Sequence, residues 1–450
     1  MSVIVDSAKS AQPETHGEVK EKMSTLQSLL VFLCFLVVVF DGLDTVVTGF
    51  VAPSLAHDFS VSHTALGPFL SMALIGMTGG ALISGPLADR IGRKPVLLGS
   101  VLLFGLCTLS CAVSDSILEL TVLRLFTGLG LGGAMPSAGT LLSEYMPPSR
   151  RAFFTNLMYC GFPLGASLGG FLAATIIPHW GWRGVFFAGG IAPLILLLGL
   201  FAMPESIRFM KVRNWPEAKI SRVLSRLPTG TIVLDTDTTA ASDSKSEDGG
   251  LRTIMSRRFM PGTVLLWLAY FMGLLVFYLQ TSWLPTLLQG ANFNASQSAT
   301  ISALLPFGGV LGTVVCGWML DRFASYRVVA CAFALGGLSL FAASRSLSSV
   351  APLSAAMFAS GVFLVGAQSS MLSLAMSFYP TSCRATGSAW MLGVGRVGGI
   401  VGALTGGYFL HEGLGVQTTV SLLAPAALLA AASVAICGAL RPKASPVQSL

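Results

Sequence analysis

Two aspartates lie in the middle of the first long apolar segment of the chain, at Asp41 and Asp44. An ionised carboxylate at bilayer depth costs roughly 2.5 to 3.5 kcal/mol on insertion scales, so two of them require a function or a partner. Because they are three residues apart, they share one face of a helix. Burial and mutual repulsion both favour the protonated form of at least one carboxyl group, which predicts a site that binds and releases a proton.

Two arginines lie within later apolar segments, Arg124 in the first half of the chain and Arg396 in the second. Arginine stays protonated, so at membrane depth it requires an anionic partner. For Arg124 that partner is Asp41, Asp44 or the substrate, and competition among them would couple proton to substrate; a fixed structural pair is the alternative. The apolar segments of the second half contain no acid, so Arg396 is predicted to hold the carboxylate of an anionic ligand rather than to act only on conformation.

Aromatic and amide side chains on segments that would line the same cavity could stack on a ring or bind a polar substituent. Ordinary packing is the alternative for each of them, because phenylalanine alone occurs 28 times. The predicted substrate-binding residues are Arg396, Gln368, Trp390, Tyr278, Gln280 and Tyr159, with Gln368 and Trp390 ranked first among the uncharged ones.

Membrane-spanning helices must position these groups. The 450 residues are 53% hydrophobic and only 10% charged, with a mean hydropathy of +0.75, which excludes a soluble globular protein with its charged fraction of about 25%. About 20 apolar residues cross the hydrocarbon core, and continuous apolar runs favour helices over strands. Twelve segments are predicted: Leu26–Leu55, Leu66–Ala88, Pro95–Val113, Ile117–Leu141, Phe153–Ile177, Gly184–Met203, Met260–Gln289, Ala299–Leu320, Val328–Ala343, Pro352–Phe378, Ala385–Leu410 and Val416–Leu440.

The positive charges are distributed very unevenly about these segments. Of the 27 lysines and arginines, 23 fall on the side that carries both termini. Two lie in loops on the other side, Arg183 and Arg345, and two lie within segments, Arg124 and Arg396. The positive-inside rule therefore predicts that both termini are cytoplasmic, and the net charge of +7 needs no nucleic-acid partner. The polar, acid-containing N-terminus and the long first apolar run predict a retained anchor rather than a cleaved signal peptide.

One long hydrophilic stretch separates six predicted spans from six. Within it, the residues Asn214–Lys219 predict a short amphipathic helix on the cytoplasmic face, and Thr229–Gly250 predicts a flexible linker. The predicted parts are a cytoplasmic tail (1–25), a six-helix bundle (26–203), a cytoplasmic central loop (204–258), a second six-helix bundle (259–440) and a cytoplasmic tail (441–450).

Two short motifs recur at an offset of about 232 residues, each after the matching span of its half. Gly85–Arg90 after span two corresponds to Gly317–Arg322 after span eight, and Pro147–Ala152 after span four corresponds to Pro380–Ala385 after span ten. This pattern predicts duplicated six-helix bundles. Such halves place a substrate site at their interface near the midplane and alternate its access by rocking.

The loop run Gly85-Pro86-Leu87-Ala88-Asp89-Arg90-Ile91-Gly92-Arg93-Lys94 resembles the signature between spans two and three of the major facilitator superfamily. Further runs resemble its aromatic acid:proton symporters, which import benzoate-type acids into bacteria. These runs are Asp41–Asp44, Arg124 with Gly128, Gly130, Gly132 and Gly133, Phe271–Leu275, Trp283–Pro285, Gly366–Gln368 and Gly393–Gly398. The resemblance implies an all-α membrane protein with 12 transmembrane helices in two pseudo-symmetric six-helix bundles, in the bacterial cytoplasmic (inner) membrane. It also implies a monomer that carries a small aromatic carboxylate and a proton.

The same loop predicts a conformational latch on the cytoplasmic side. Its glycines allow a tight turn and close helix approach, and Asp89 can cap the neighbouring helix end and pair with a basic residue. A topology signal alone would explain the positive charges but not the spacing of glycine and aspartate. The predicted latch residues are Gly85, Asp89, Arg90, Gly92, Arg93, Lys94 and Glu144.

The leading functional hypothesis is a proton-coupled importer of benzoate- or hydroxybenzoate-type acids. A proton-coupled exporter of drugs or organic acids is the alternative, suggested by the glycine-rich run Gly161–Gly170, where Ala166 stands in place of the proline of that signature. A receptor built on a transporter body is disfavoured because the chain carries no sizeable extra domain. The sequence shows no nucleophile, metal or cofactor constellation, so neither an enzyme nor a cofactor is expected.

Overall fold

The computed structural model describes residues 23–227, 252–380 and 383–440. The predicted cytoplasmic tails up to residue 22 and from residue 441, and the predicted linker Thr229–Gly250, therefore lie outside the described residues. The described ranges contain helices, turns and no strand.

Fourteen helices of this part of the chain position the site. Those of the first half are α1 (Thr25–Asp58), α2 (His63–Ile91), α3 (Arg93–Cys111), α4 (Ile117–Tyr145), α5 (Pro148–Tyr159) and α6 (Gly161–Phe201). Two short helices follow, α7 (Ile207–Val212) and α8 (Glu217–Leu224). Those of the second half are α9 (Met260–Gly290), α10 (Ala295–Arg322), α11 (Ser325–Arg345), α12 (Val350–Phe378), α13 (Arg384–His411) and α14 (Val416–Ala439).

Helix α6 contains two antiparallel passes joined at Gly181, whose φ of 64° breaks the helix. The segment before this turn runs alongside α1 in the same direction. After the turn the chain runs back along α1, because Gly189 lies beside Leu43 and Gly199 beside Leu33. Eleven segments of the described chain are long and apolar enough to cross a membrane. Since one of them contains this reversal, the fold has the twelve passes that the sequence predicts.

The two halves repeat one packing scheme. In the first bundle α2 packs on α4, α1 on the first pass of α6, and α3 on the second pass. In the second bundle α10 packs on α12, α9 on α13, and α11 on α14. The corresponding passes are thus paired in both bundles, as expected for duplicated halves. The predicted fold class, an all-α membrane protein of two pseudo-symmetric bundles, is confirmed.

The bundles meet through α1 with α9, α2 with α13, and α6 with α10. We call the side that carries Ser24 and the segment 204–227 the terminal face, and the opposite side the distal face. Toward the distal face, Gly49 of α1 approaches the main chain of Thr281 so closely that a Cβ would overlap it. Toward the terminal face, Gly85 of α2 and Gly393 of α13 both border open space. The bundles are therefore in close main-chain contact toward the distal face, whereas these two positions toward the terminal face have no neighbour within 4 Å.

Candidate functional site

Arg124 of α4 is fully buried, and its guanidinium is bonded inside the first bundle. Its Nη1 donates to Asp44 Oδ2 at 3.0 Å, and its Nη2 donates to the Thr108 hydroxyl at 2.9 Å. That hydroxyl donates in turn to Asp44 Oδ1 at 2.6 Å. The guanidinium also lies 5.0 Å from the centre of the Phe186 ring. Both carboxylate oxygens of Asp44 are therefore bonded, and we call this arrangement the Asp44–Thr108–Arg124 triad.

Asp41 is equally buried but far less satisfied. Its Oδ1 accepts a hydrogen bond from the Thr45 hydroxyl at 3.3 Å, and its Oδ2 is buried without a partner among the described residues. Asp41 lies within electrostatic range of Arg396 and Tyr278, which belong to the other bundle. A buried carboxyl oxygen without a partner carries a desolvation penalty that protonation would relieve. Asp41 therefore differs from Asp44 in having no directly bonded cation in the described chain.

Arg396 of α13 is half-buried at the boundary between the bundles. Its Nη1 donates across that boundary to the main-chain carbonyl of Met77 on α2 at 2.8 Å. The sulfur of Met77 also contacts the Thr45 hydroxyl at 3.9 Å, so one residue of α2 touches both Arg396 and the partner of Asp41. Within the described ranges Arg396 has no carboxylate closer than 4.0 Å. A neutral carbonyl leaves the cation uncompensated, so the site can accept an anion.

Aromatic and amide groups surround Arg396 on the second-bundle side. Tyr270 and Tyr278 of α9 pack against the glycines that flank Arg396, and both lie within its electrostatic range. The amide nitrogen of Gln368 donates weakly to the carbonyl of Tyr270 at 3.4 Å. Its Oε1 has no partner among the described residues. The sequence selected Tyr278 and Gln368 but missed Tyr270, although Tyr270 lies about two turns from Tyr278 on the same span.

The structure does not bring Trp390 to this neighbourhood. Trp390 is 46% exposed and begins a stripe of exposed residues along α13 with Val397, Leu404 and Tyr408. Six residues separate positions 390 and 396, which puts them about 120° apart around a helix. The indole instead stacks on Trp267 of α9, with ring centres 5.8 Å apart. The exposed positions recur along one side of α13 that differs from the side carrying Arg396.

Two other predicted residues lie within their own bundles. Gln280 is 2% exposed, and its amide nitrogen contacts the Met357 sulfur at 4.0 Å in the second bundle. The Tyr159 hydroxyl packs against Gly139 of α4 in the first bundle. The geometry thus joins Tyr278 and Gln368 to Arg396 and gives Gln280 and Tyr159 packing partners elsewhere.

The predicted latch residues form a charged cluster at the terminal face. Arg93 donates to Asp89 at 2.9 Å, and its Nε lies 3.8 Å from Glu144 Oε1. Gly92 has a φ of 108°, and a Cβ there would overlap the Glu205 carboxylate. Two further members make main-chain contacts: Lys94 Nζ donates to the Phe201 carbonyl at 2.8 Å, and the Arg90 carbonyl accepts from the Arg213 side chain at 2.7 Å. Gly85 borders open space.

Glu205 is a member of this cluster that the sequence reasoning missed. Its Oε1 accepts main-chain hydrogen bonds from Arg93 at 3.0 Å and Lys94 at 3.1 Å, so Glu205 caps the start of α3. Asp89, which the sequence suggested as a cap, is exposed and bonded to the Arg93 side chain instead. The available signal was that Glu205 is the first acid after span six, in a strongly basic stretch.

Comparison with known proteins gives concordant results. The sequence model of the Major Facilitator Superfamily matches residues 34–403 and 266–449. The gallate transporter of Pseudomonas putida is 44% identical over 94% of this chain and 94% of its own. The 4-hydroxybenzoate transporter of Pseudomonas aeruginosa is 44% identical over 93% and 94%, and the benzoate transport protein of Acinetobacter baylyi is 32% identical over 86% and 84%.

Solved structures support the same fold. The D-xylose-proton symporter has a TM-score of 0.70 at 19% identity, covering 91% of this chain and 97% of its own. A bacterial homologue of the human lysosomal transporter Spinster has a TM-score of 0.73 at 17% identity, covering 94% and 99%.

Proposed function

The chain belongs to the major facilitator superfamily, and we propose that it is a symporter that imports an aromatic carboxylate together with a proton across the bacterial cytoplasmic membrane. Similarity to the gallate, 4-hydroxybenzoate and benzoate transporters supports the substrate class, because each of those compounds is a ring with one carboxylate. The observation that carries the proposal is the incompletely satisfied pair Asp41 and Arg396 at the boundary between the bundles.

Asp41 and Arg396 provide a way to couple the two cargoes. When Asp41 is ionised, its charge offsets that of Arg396 through space. When Asp41 is protonated, the positive charge of Arg396 is left without an opposing charge, and the carboxylate of the substrate then replaces the Met77 carbonyl as its bonded partner. A guanidinium binds a carboxylate with two charge-assisted hydrogen bonds, which is stronger than one bond to a neutral carbonyl. The protonated carrier therefore favours the anion.

The aromatic ring would lie beside α9 and α12. Tyr270 and Tyr278 offer ring faces for offset stacking next to Arg396. The unpartnered Oε1 of Gln368 is an acceptor for a ring hydroxyl. In our proposal Arg396 binds the carboxylate and the two tyrosines contact the ring.

The Asp44–Thr108–Arg124 triad has a supporting part in proton coupling. All three of its members belong to the first bundle, on α1, α3 and α4. In our proposal the triad holds α1 in the rotation that presents Asp41 to the boundary between the bundles. The proton itself is exchanged at Asp41.

Binding of the anion would also release a tie between the bundles. The Arg396 bond to Met77 connects α13 to α2 in this structure, in which we take the site to open at the terminal face. In our proposal this face is cytoplasmic, because it carries the basic segments. The latch of Gly85, Asp89, Arg90, Gly92, Arg93, Lys94 and Glu144, extended by Glu205, stabilises the ends of α2, α3 and α4 that must move when this face closes. One chain contains every group named here, so the proposed working unit is a monomer.

The experiment measures uptake of labelled 4-hydroxybenzoate into proteoliposomes with an imposed inward proton gradient. Wild-type protein should accumulate the label, and a protonophore should abolish the accumulation. Asp41→Asn should lose proton-driven accumulation yet still exchange external label for internal unlabelled substrate, because the Arg396 site is intact. Asp115→Asn, an exposed carboxylate at the distal face, is the matched control and should behave as wild type. Full accumulation by Asp41→Asn would refute the assignment of the proton.

The exporter alternative makes an opposite prediction in cells. A protonophore would then raise the cellular content of labelled acid, because efflux would stop. For an importer the same treatment lowers that content.

A further inference from the structure

The segment after the sixth pass lies across the terminal face of the first bundle. Helix α7 buries Ile207 and Met210, and α8 buries Ile220, against the apolar cluster of that bundle. A turn with Asn214 at a φ of 51° joins the two helices, and the Trp215 amide closes it by donating to the Met210 carbonyl at 2.9 Å. The predicted amphipathic helix thus begins at Glu217, slightly later than the sequence suggests. Since α7 follows the end of the sixth pass, this segment lies at the level where the helices leave the membrane.

The solvent side of this segment is strongly basic. Glu217 is the one acid of the stretch 207–226, against six exposed cations. Within the described residues, none of the six has a carboxylate within 4.0 Å. The six are Arg208, Lys211, Arg213, Lys219, Arg222 and Arg226. Cations that have no acidic partner in the described part of the chain can attract an external anionic surface.

A groove of about 610 Å³ opens between α7 and α8. Lys211 and Glu217 are its charged lining residues, and Ile220 and Leu224 provide apolar lining. Trp215 also lines the groove, and the ammonium group of Lys219 lies 5.4 Å from the centre of its ring. Cations beside an indole and an apolar lining match the chemistry of a phospholipid, whose phosphate is followed by a glycerol and acyl chains.

We propose that this groove and the basic residues in and beside it, Lys211, Lys219 and Arg222, bind the headgroup of an anionic phospholipid from the adjacent leaflet. Basic residues on an amphipathic helix at the membrane surface are attracted to anionic lipids, and the apolar contacts add to that attraction. The positive-inside distribution explains the sign of the charges but not the groove or the placement of Trp215 beside Lys219. The site is separate from the cavity between the bundles.

The test uses the purified full-length chain with phosphatidylglycerol and phosphatidylethanolamine, and native mass spectrometry counts the lipids that the protein retains. Wild-type protein should prefer phosphatidylglycerol. The triple variant Lys211→Gln, Lys219→Gln, Arg222→Gln should lower that preference roughly tenfold or more, because it removes cations in and beside the groove, where the headgroup would lie. The matched control removes three exposed cations elsewhere on the terminal face, Arg150→Gln, Arg151→Gln, Arg257→Gln, and should stay within about twofold of wild type.

Two outcomes overturn the proposal. One is an equal loss of the phosphatidylglycerol preference in both triple variants, which would mean that only the total charge of the terminal face matters. The other is no loss of that preference in either variant. A second measurement does not depend on the triple variant. Phosphatidylglycerol with brominated acyl chains should quench a tryptophan signal in wild-type protein that is absent from Trp215→Phe, and equal quenching in the two proteins contradicts the proposal. Both assays omit aromatic acid and proton gradient, so their failure is independent of the transport proposal.

Discussion

Two aspartates three residues apart on α1 occupy opposite situations. Both carboxylate oxygens of Asp44 accept hydrogen bonds, and the two donors, Thr108 and Arg124, belong to the first bundle like Asp44 itself. Asp41 has one long hydrogen bond, and the cation in its electrostatic range, Arg396, belongs to the second bundle. A cluster inside one rigid body keeps its contacts when the bundles move, whereas a pair divided between two bodies changes with every movement. Our proposal therefore assigns the exchange of proton and anion to the divided pair.

The first prediction, with the largest expected effect, tests whether the triad is structural. Arg124→Leu leaves Asp44 buried without its cation, which typically costs about 3–5 kcal/mol. We expect a large fall in the thermal unfolding temperature of the purified protein and in its level in the membrane. Scanning fluorimetry on wild-type and variant protein in the same detergent measures this effect.

The double variant Asp44→Leu with Arg124→Leu is the matched control. Removing both charges of a buried pair is often nearly neutral, because no unpaired charge remains. The double variant should thus recover most of the stability that Arg124→Leu loses. If it is as unstable as the single variant, the cost lies in lost packing or in Thr108, and not in the unpaired Asp44 charge.

The sequence predicted the positions of the four charged groups better than their pairing. Hydropathy located the spans, and the polarity of a membrane interior marked Asp41, Asp44, Arg124 and Arg396 as groups that need partners. Residues three apart share a helix face broadly, but their side chains still point about 60° apart. That angle directs Asp44 toward α3 and α4 and leaves Asp41 at the bundle boundary. Only the packing of neighbouring helices decides between them.

Residues that act through distant or uncharged contacts were harder to predict for a related reason. Thr108 carries no charge and lies in an ordinary apolar run, so nothing in the sequence marks it before α3 is packed beside α1 and α4. The motifs around Trp390 predict a site residue, but motif neighbourhood does not specify which side of α13 packs against other helices. Glu205 acts at a distance of more than one hundred residues, on the first main-chain amides of α3.

The second prediction concerns the other side of the comparison, the boundary site. In the proposed site, Arg396→Gln would remove charge-assisted hydrogen bonds to the substrate carboxylate, each contributing about 1.5–3 kcal/mol. We expect the apparent affinity for 4-hydroxybenzoate to fall roughly 10- to 100-fold in an uptake assay, in line with that range. The unfolding temperature should change little, because the cation that is lost bonds only a neutral carbonyl in this state.

Trp390→Phe provides the control on the same helix. Its side chain lies on the exposed stripe of α13, so the conservative change should leave the affinity within about twofold of wild type. An equal loss of affinity in Trp390→Phe and Arg396→Gln would mean that α13 presents the Trp390 face to the substrate, contrary to our placement.

The third prediction, with the smallest effect, tests whether the triad needs its hydroxyl. Thr108→Val keeps the shape of the side chain but leaves Arg124 Nη2 and Asp44 Oδ1 each without the bond that Thr108 makes, which costs about 1–3 kcal/mol. We expect a lower unfolding temperature, and Thr108→Ser should restore most of it because the hydroxyl returns. Thr127→Val is the matched control, since the Thr127 hydroxyl is also buried but bonds only the Leu123 carbonyl of its own helix. If Thr127→Val is as costly as Thr108→Val, then any buried threonine hydroxyl would have this effect, and the contrast between a closed triad and an open Asp41 would rest on Arg124 alone.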